Sequence, residues 1–534
     1  MGYEVMRVER VASEPRTTKT RKAQIYRPSN MTTKDEAMPD AGAALDNDEL
    51  NEGNQIRISF VLDASVGTKE APDGEPLEVP SDPIAVPATT RRRGLSAIIN
   101  HLLDRRVEKD AKDGSDDESG SDSDSDSDDE DKLPSITFDF LVNGRLLRTG
   151  IEAAARREGL SLETAVKVHY FPAARAPAGE GESEELPDWI TAMSSCCTSA
   201  ATGSTADVLF AGTADGAIRA FGCNKGGITE LSTIGAHAGP IKCIASLPDA
   251  NDNDSGCLVA SGSIDQTLVM HRMEKNKLAL HSVFSGGHTN SICSVALMRQ
   301  SDGGKAVMAS GDWDGNLSVW KVPSSGDGSN SSSTNKASKK KQKTSSASAT
   351  SVEVEEVRPS SSWKAHASNI SGMVYTHGSN GTKLITGSWD HSLKVHDLER
   401  QDCILTLNGS RVVTALGRCH NSDVVASAHP DCTVRLWDMR VHAKAGAEST
   451  SVSDTTLRPS HKAWVTDVQW SPTDPYVLAT TSHDGTVKIW DIRSSLPLHT
   501  VRAHPKGEKG LCLSYTNGII YSGGSDCVVK RFVC

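Results

Sequence analysis

The chain has 534 residues, 37% of them hydrophobic, and a formal net charge of −12. That length has room for two or three domains. No apolar run reaches the roughly 18 residues of a membrane-spanning helix, and the N-terminus shows no apolar signal core. The charge is mostly local: residues 110–131 carry twelve acids and one lysine, a net of −11, so the remainder is close to neutral and lacks the broad basic face of a general nucleic-acid binder.

Residues 1–54 mix Thr, Lys, Arg, Asp and Asn without apolar periodicity and read as a disordered tail. From 55 to 171 the pattern is that of a small mixed domain. Gln55-Ile-Arg-Ile-Ser-Phe-Val61 alternates as a half-buried strand does. A second extended stretch is expected through Leu77–Val79 and Ile84–Val86. After Gly94, the residues Leu95, Ile98, Ile99, Leu102 and Leu103 recur at helical spacing. Phe138–Val142, Asn143-Gly144 and Arg145–Leu147 form a hairpin signal, because Asn-Gly supplies the positive φ angles of a two-residue turn. A short helix (151–157) and a last strand (166–171) complete the order β-β-α-β-β-α-β of a ubiquitin-like fold. The Ser- and Asp-rich segment 107–133 has too little apolar surface to fold and reads as an inserted loop. Its serines, each followed closely by acid, suit an acidophilic kinase.

Residues 172–186 form a linker rich in Ala, Pro, Gly and Glu. Beyond it, across 187–534, seven segments share one cadence: an alternating apolar strand, a run of small residues, an aspartate turn, and a second alternating strand. The turn aspartates are Asp215, Asp265, Asp314, Asp390, Asp431, Asp484 and Asp526. The one long gap between them holds a Ser- and Lys-rich insertion, 323–362. Several strands end as Val319-Trp320, Leu436-Trp-Asp438 or Ile489-Trp-Asp491. The cadence resembles the WD repeat, one four-stranded propeller blade per copy. The expected fold is therefore mostly β: a seven-bladed WD40 propeller preceded by a small α+β ubiquitin-like domain. The chain ends after the third strand of the seventh repeat, so a closing strand is expected from within 172–186.

In WD repeats a histidine upstream of the turn donates to the turn aspartate as part of a structural tetrad. Here that implies the pairs His237–Asp265, His288–Asp314, His366–Asp390, His461–Asp484 and His504–Asp526. The first and fifth repeats lack this histidine and are expected to be held more by packing. No nucleophile, metal-ligand cluster or phosphate-binding glycine loop recurs with these residues, so no enzyme, cofactor or resident metal is expected. All twelve cysteines fall at Cys196 or later with no C-x-x-C pair, which reads as reduced thiols packed as small hydrophobes.

The head segments Arg93-Gly-Leu-Ser-Ala-Ile-Ile-Asn-His-Leu-Leu103, Phe138-Asp-Phe-Leu-Val-Asn-Gly-Arg-Leu-Leu-Arg148 and Gly159-Leu-Ser-Leu-Glu163-Thr164, followed by WD repeats, resemble the YTM-type ribosome-biogenesis family. The resemblance implies a scaffold on pre-60S ribosomal particles, in the nucleus, nucleolus and nucleoplasm. Its expected partners are Pescadillo and the BOP/ERB WD-repeat protein. It implies further that the ubiquitin-like head is gripped by the adhesion site of the midasin AAA ATPase, with Glu163 at the position of the carboxylate that reaches the partner's Mg²⁺. A carboxylate oxygen is the hard donor that such an ion takes. Lys339, Lys340, Lys341 and Lys343 form a nuclear-import candidate or an RNA-contacting loop. Two other readings stay open at this level. One is the sister Notchless-type factor, usually eight-bladed. The other is a substrate receptor of a cullin ubiquitin ligase, on the W-D-x-R matches Trp437–Arg440 and Trp490–Arg493.

Overall fold

The computed structural model describes residues 55–63, 74–105, 134–199, 205–224, 227–248, 256–274, 276–300, 305–323, 355–378, 381–398, 400–420, 422–439, 455–457 and 461–534. The tail 1–54, the acidic insertion 107–133 and the lysines Lys339, Lys340, Lys341 and Lys343 lie outside these residues.

The described residues of the head form a five-stranded sheet and two helices. In chain order its elements are β1 (Gln55–Leu62), β2 (Ile84–Pro87), α1 (Arg92–Leu102), β3 (Phe138–Val142), β4 (Arg145–Leu146), α2 (Ile151–Arg157) and β5 (Val166–Pro172). The sheet order is β2-β1-β5-β3-β4, with β1 and β5 parallel. Alternation along β1 buries Ile56, Ile58 and Phe60, which meet Leu95 and Ile99 of α1 in one apolar core. Asn143 and Gly144 take φ of 50° and 77°, the mirror-image turn the β3–β4 hairpin needs. Helix α1 begins at Arg92, so Gly94 lies in its first turn rather than before it.

The stretch Leu77–Val79, expected as a strand, is not one. Both apolar side chains are buried, but the backbone is held by a side chain instead of a neighbouring strand. The Tyr170 hydroxyl donates to the Leu77 carbonyl at 2.7 Å and accepts from the Val79 N–H at 3.0 Å. The two ends of the acidic insertion are pinned in a similar way. Asn100 exchanges two hydrogen bonds with the backbone of Ile136, at 2.8 and 2.9 Å, and Arg105 Nη1 donates to the Pro134 carbonyl. Such pinning lets a long polar insertion leave and re-enter without disturbing the core.

The described residues of the propeller form seven sheets, with blades spanning 190–235, 241–284, 292–364, 370–408, 415–457, 465–502 and 510–533. The run of small residues in the second strand of each blade has a packing reason. A Cβ on Gly212 would fall 2.6 Å from Ile241, and one on Gly262 2.6 Å from Ile292; Gly311 faces Ile370, and Gly523 faces Ile190. Each glycine thus admits an isoleucine from the first strand of the next blade, and the last contact joins blade seven to blade one. The fourth strand of blade seven is β6 (Ala178–Glu182), antiparallel to Lys530–Val533.

One boundary differs from expectation. The insertion placed at 323–362 ends earlier, because Ser361–Lys364 is the outer strand of blade three and Glu355–Val357 adds in parallel to the outer edge of blade two. These strands carry only Val357 and Trp363 as apolar anchors, each packed on a blade core, so alternation alone is too short to reveal them. The described cysteines are free thiols, most of them buried.

Replacing Tyr170 with Phe removes the phenol but keeps the ring packing. Two buried backbone groups are left unpaired, an expected loss of about 1–3 kcal/mol. Amide hydrogen exchange at Val79 should accelerate by roughly tenfold or more; an unchanged rate would show that another group holds the segment.

Candidate functional site

Four of the expected histidine–aspartate pairs form. The Nδ1–carboxylate separations are 3.5 Å for His237–Asp265, 3.0 Å for His366–Asp390, 3.1 Å for His461–Asp484 and 2.9 Å for His504–Asp526. In blade six the relay is complete. Trp490 Nε1 donates to Thr480 Oγ1 at 2.9 Å, that hydroxyl meets His461 Nε2 at 2.8 Å, and Asp484 also accepts the backbone N–H groups of Lys462 and Thr486. With Nδ1 donating to the aspartate and Nε2 accepting from the hydroxyl, every polar atom of the chain is paired around a neutral imidazole. Burial pushes the Asp484 carboxyl up, but the hydrogen bonds from His461 and Thr486 outweigh it and hold the group well below the usual carboxylate range. The imidazole of His461 and the Thr480 hydroxyl are buried.

The fifth pair is a correction. His288 is bonded to Asp312, at 3.1 Å, and not to Asp314. In blades two, four and six the residue two before the aspartate is a serine whose hydroxyl accepts the aspartate N–H: Ser263, Ser388 and Ser482. Asp312 stands at that serine position and is fully buried. Its carboxylate accepts the Asp314 and Asn316 N–H groups and still reaches the imidazole. Asp314 is exposed and accepts from Asn290 instead.

Blades one and five are also not held by packing alone. Arg219 lies 2.7 Å from Asp215, and Arg435 lies 2.9 Å from Asp431. An arginine four residues after the aspartate therefore takes the place of the missing histidine. The signal is present in the sequence as Asp215-Gly-Ala-Ile-Arg219 and Asp431-Cys-Thr-Val-Arg435.

Glu163 sits between α2 and β5, exposed. Its placement follows from how α2 ends. Gly159 takes φ +68°, and the N–H groups of Gly159 and Leu160 bond back to Arg156 and Ala155, the left-handed cap that stops a helix. Leu160 and Leu162 then pack on the head core. Ser161 and Glu163, alternating with them, are exposed, and Ser161 Oγ accepts the Glu163 N–H at 3.3 Å. The carboxylate thus stands on a short, internally tied loop and is not engaged by the core.

Sequence reasoning missed the junction between head and propeller. Arg493, on the loop after the third strand of blade six, lies 2.7 Å from Asp491 and 3.7 Å from Asp63 of the head. Its guanidinium is stacked 4.7 Å from the ring centre of Phe171 and 4.2 Å from that of Tyr476. Its carbonyl accepts the Leu146 N–H, and Leu498 packs on Leu141, Leu146 and Phe171. Burial opposes the charge of Arg493, but the adjacent carboxylates Asp491, Asp474 and Asp63 raise its pKa further. Also unanticipated are three tryptophans about half exposed at the turn end of the blades: Trp189 (50%), Trp313 (45%) and Trp464 (49%). Among the described residues no cluster of three or more His, Cys, Asp or Glu is disposed to hold a metal.

Comparison with known proteins agrees with this architecture. Residues 68–155 match the NLE (NUC135) domain, and 280–321, 357–397, 401–438 and 453–491 match the WD domain, G-beta repeat. A ribosome biogenesis protein WDR12 homolog of Chlamydomonas reinhardtii is 30% identical over 474 residues, 85% of this chain and 94% of the relative. The corresponding protein of Dictyostelium discoideum is 27% identical, over 91% of this chain and 96% of the relative. Ribosome biogenesis protein YTM1 of Lodderomyces elongisporus is 27% identical, over 89% and 96%.

Acid should loosen the propeller. His271 and His429 are held neutral by burial down to about 4, and His396 down to about 3. Unfolded histidines take up protons below about 6.5, so this stability is whole above that pH and is lost as pH falls toward the folded values. Denaturant midpoints of the full chain should fall steadily from about pH 6.5 to 4.5. Asp484→Ala should show the same slope, displaced downward by about 1.5–3 kcal/mol. A flat midpoint across that range would contradict the buried neutral histidines.

Proposed function

The chain belongs to the WDR12/YTM1 family of ribosome biogenesis proteins, and from that membership we propose that it acts in large-subunit assembly, with its head presenting Glu163 to the Mg²⁺ of the midasin adhesion site. Like its family, it is a WD-repeat scaffold and carries out no catalysis of its own. The propeller docks on the BOP/ERB protein and joins Pescadillo on pre-60S particles. Midasin then pulls the assembly off by the head. The observation that carries this reading is the setting of Glu163: exposed, on a loop whose alternate residues anchor in the core, with its backbone tied by Ser161. A carboxylate that must reach another protein's ion needs that projection. The exposed tryptophans support the docking role, since aromatic side chains are frequent anchors of interfaces.

The seven sheets support the YTM type over the Notchless type. The cullin-receptor reading loses support at Arg493, whose guanidinium is enclosed by Asp491, Phe171 and Tyr476 and is little exposed to a partner. Arg440, the other arginine of that pattern, lies outside the described residues.

Glu163→Ala removes one oxygen donor from an exposed position, so stability should change by no more than about 0.5 kcal/mol. Mg²⁺-dependent pull-down of midasin should fail, while binding to the BOP/ERB protein persists. Glu163→Asp keeps the charge at shorter reach and should fall between wild type and Ala. Undiminished midasin binding by Glu163→Ala would remove this carboxylate from the mechanism.

The same reading places the protein in the nucleus, nucleolus and nucleoplasm, with Lys339, Lys340, Lys341 and Lys343 as the import signal. Imaging the quadruple Ala variant should show a diminished nuclear signal; an unchanged one would transfer import to a partner or to the basic residues 16–22.

A further inference from the structure

Between the head hairpin and blades five and six lies a cleft of about 610 Å³. The head lines it with Arg145, Arg148 and Arg157. The propeller lines it with Thr456, Ser494 and Ser495, and Tyr476 contributes to its wall. No aspartate or glutamate is part of the lining. The nearest carboxylate to two of these arginines is Glu158, 3.8 Å from Arg145 and 3.3 Å from Arg157. Among the described residues no carboxylate is ion-paired with Arg148. Its charge is felt by the buried Asp139, but that carboxylate is already paired with Arg92 at 2.6 Å. Three guanidinium groups therefore face one carboxylate, a surplus of two positive charges in a concavity edged with hydroxyl donors. Arg493 also borders the cleft but is neutralised by Asp491 and Asp63, so it shapes the wall and is not a free cation.

We infer that this cleft binds a short stretch of single-stranded RNA through its phosphodiester backbone. Planar guanidinium forks match phosphate oxygens in pairs, and serine and threonine hydroxyls are the usual supplementary donors to phosphate and sugar. The cleft is short, so it grips a few phosphates and reads no sequence. An acidic protein segment is the rival occupant. Its usual entry, adding a strand to the open edge of the head sheet, is obstructed because the N–H of Leu146 in the edge strand β4 already donates to the Arg493 carbonyl at 3.2 Å. A factor of the ribosome-biogenesis family works where RNA is the abundant polyanion, which favours the nucleic acid. The inference rests on family membership and on the cleft, and is independent of the midasin reading.

The test uses the full chain and a fluorescent uridine oligonucleotide, with anisotropy read at several salt concentrations. Arg145, Arg148 and Arg157 are exposed, so R145A/R148A/R157A should unfold at the same denaturant concentration as wild type and should still be pulled down by midasin. Its affinity for the oligonucleotide should drop at least tenfold. The slope of log affinity against log salt should shrink by about 2, since each lost phosphate contact on a single strand removes about 0.7. The corresponding triple Lys variant keeps the charge but not the fork and should lie between. Equal affinity and slope in the Ala variant would overturn the assignment, as would no binding by wild type. So would a loss confined to the Lys339, Lys340, Lys341 and Lys343 variant. Tighter binding of a polyglutamate peptide than of the oligonucleotide would assign the cleft to an acidic protein segment instead.

Discussion

The pairing of β6 with the last strand of the chain sets the terms for the rest of the molecule. Ser183 Oγ accepts the N–H of Val529, a residue 346 positions away in sequence, and Lys530–Val533 runs antiparallel to Ala178–Glu182 alongside it. The strand Ala-Gly-Glu-Gly-Glu has almost no apolar surface, so its conformation depends on the edge it completes. Only five residues separate the end of β5 from its start, six steps of the backbone with a reach of at most about 22 Å. A head tethered that closely to blade seven stays near the ring, and its contacts are with blade six. Arg493, Leu498 and the His499–Ala174 hydrogen bond then fasten it there. The basic cleft is formed by that contact, since six of its lining residues come from the head and eight from the propeller.

Around the ring, one geometric need recurs and is met by different chemistry. In each blade a carboxylate of the turn between the second and third strands is engaged by a basic side chain. In five blades an imidazole bridges the turn carboxylate and a buried hydroxyl. In the other two an arginine from the same blade curls back onto the carboxylate. In blade five the preceding connection adds to this arginine: Arg411 lies 3.5 Å from Asp431, and Ser410 accepts a bond from Arg435. Blade three shows a further variant, with the carboxylate moved two residues earlier without loss of the tie. Rigidity of the ring therefore does not depend on the identity of any one of these groups. What recurs in every blade is a histidine or arginine held against a carboxylate of the turn.

Most of the architecture is legible in the sequence because it is encoded as local periodicity. Alternation along β1, helical spacing from Leu95 to Leu103, the Asn143-Gly144 turn and the repeated aspartate cadence each report which side of the backbone is buried, and burial is the correct guide to the elements. The exposed position of Glu163 is readable for the same reason, since Leu160 and Leu162 alternate with it. What only the tertiary structure decided were the pairings. The choice of Asp312 over Asp314 for His288, the stacking of Arg493 between Phe171 and Tyr476, the addition of Glu355–Val357 to blade two and the convergence of three arginines on one cleft all depend on where the folded chain sets its groups. Their energies come from being desolvated together, and no residue carries that information until the chain has brought its partner beside it.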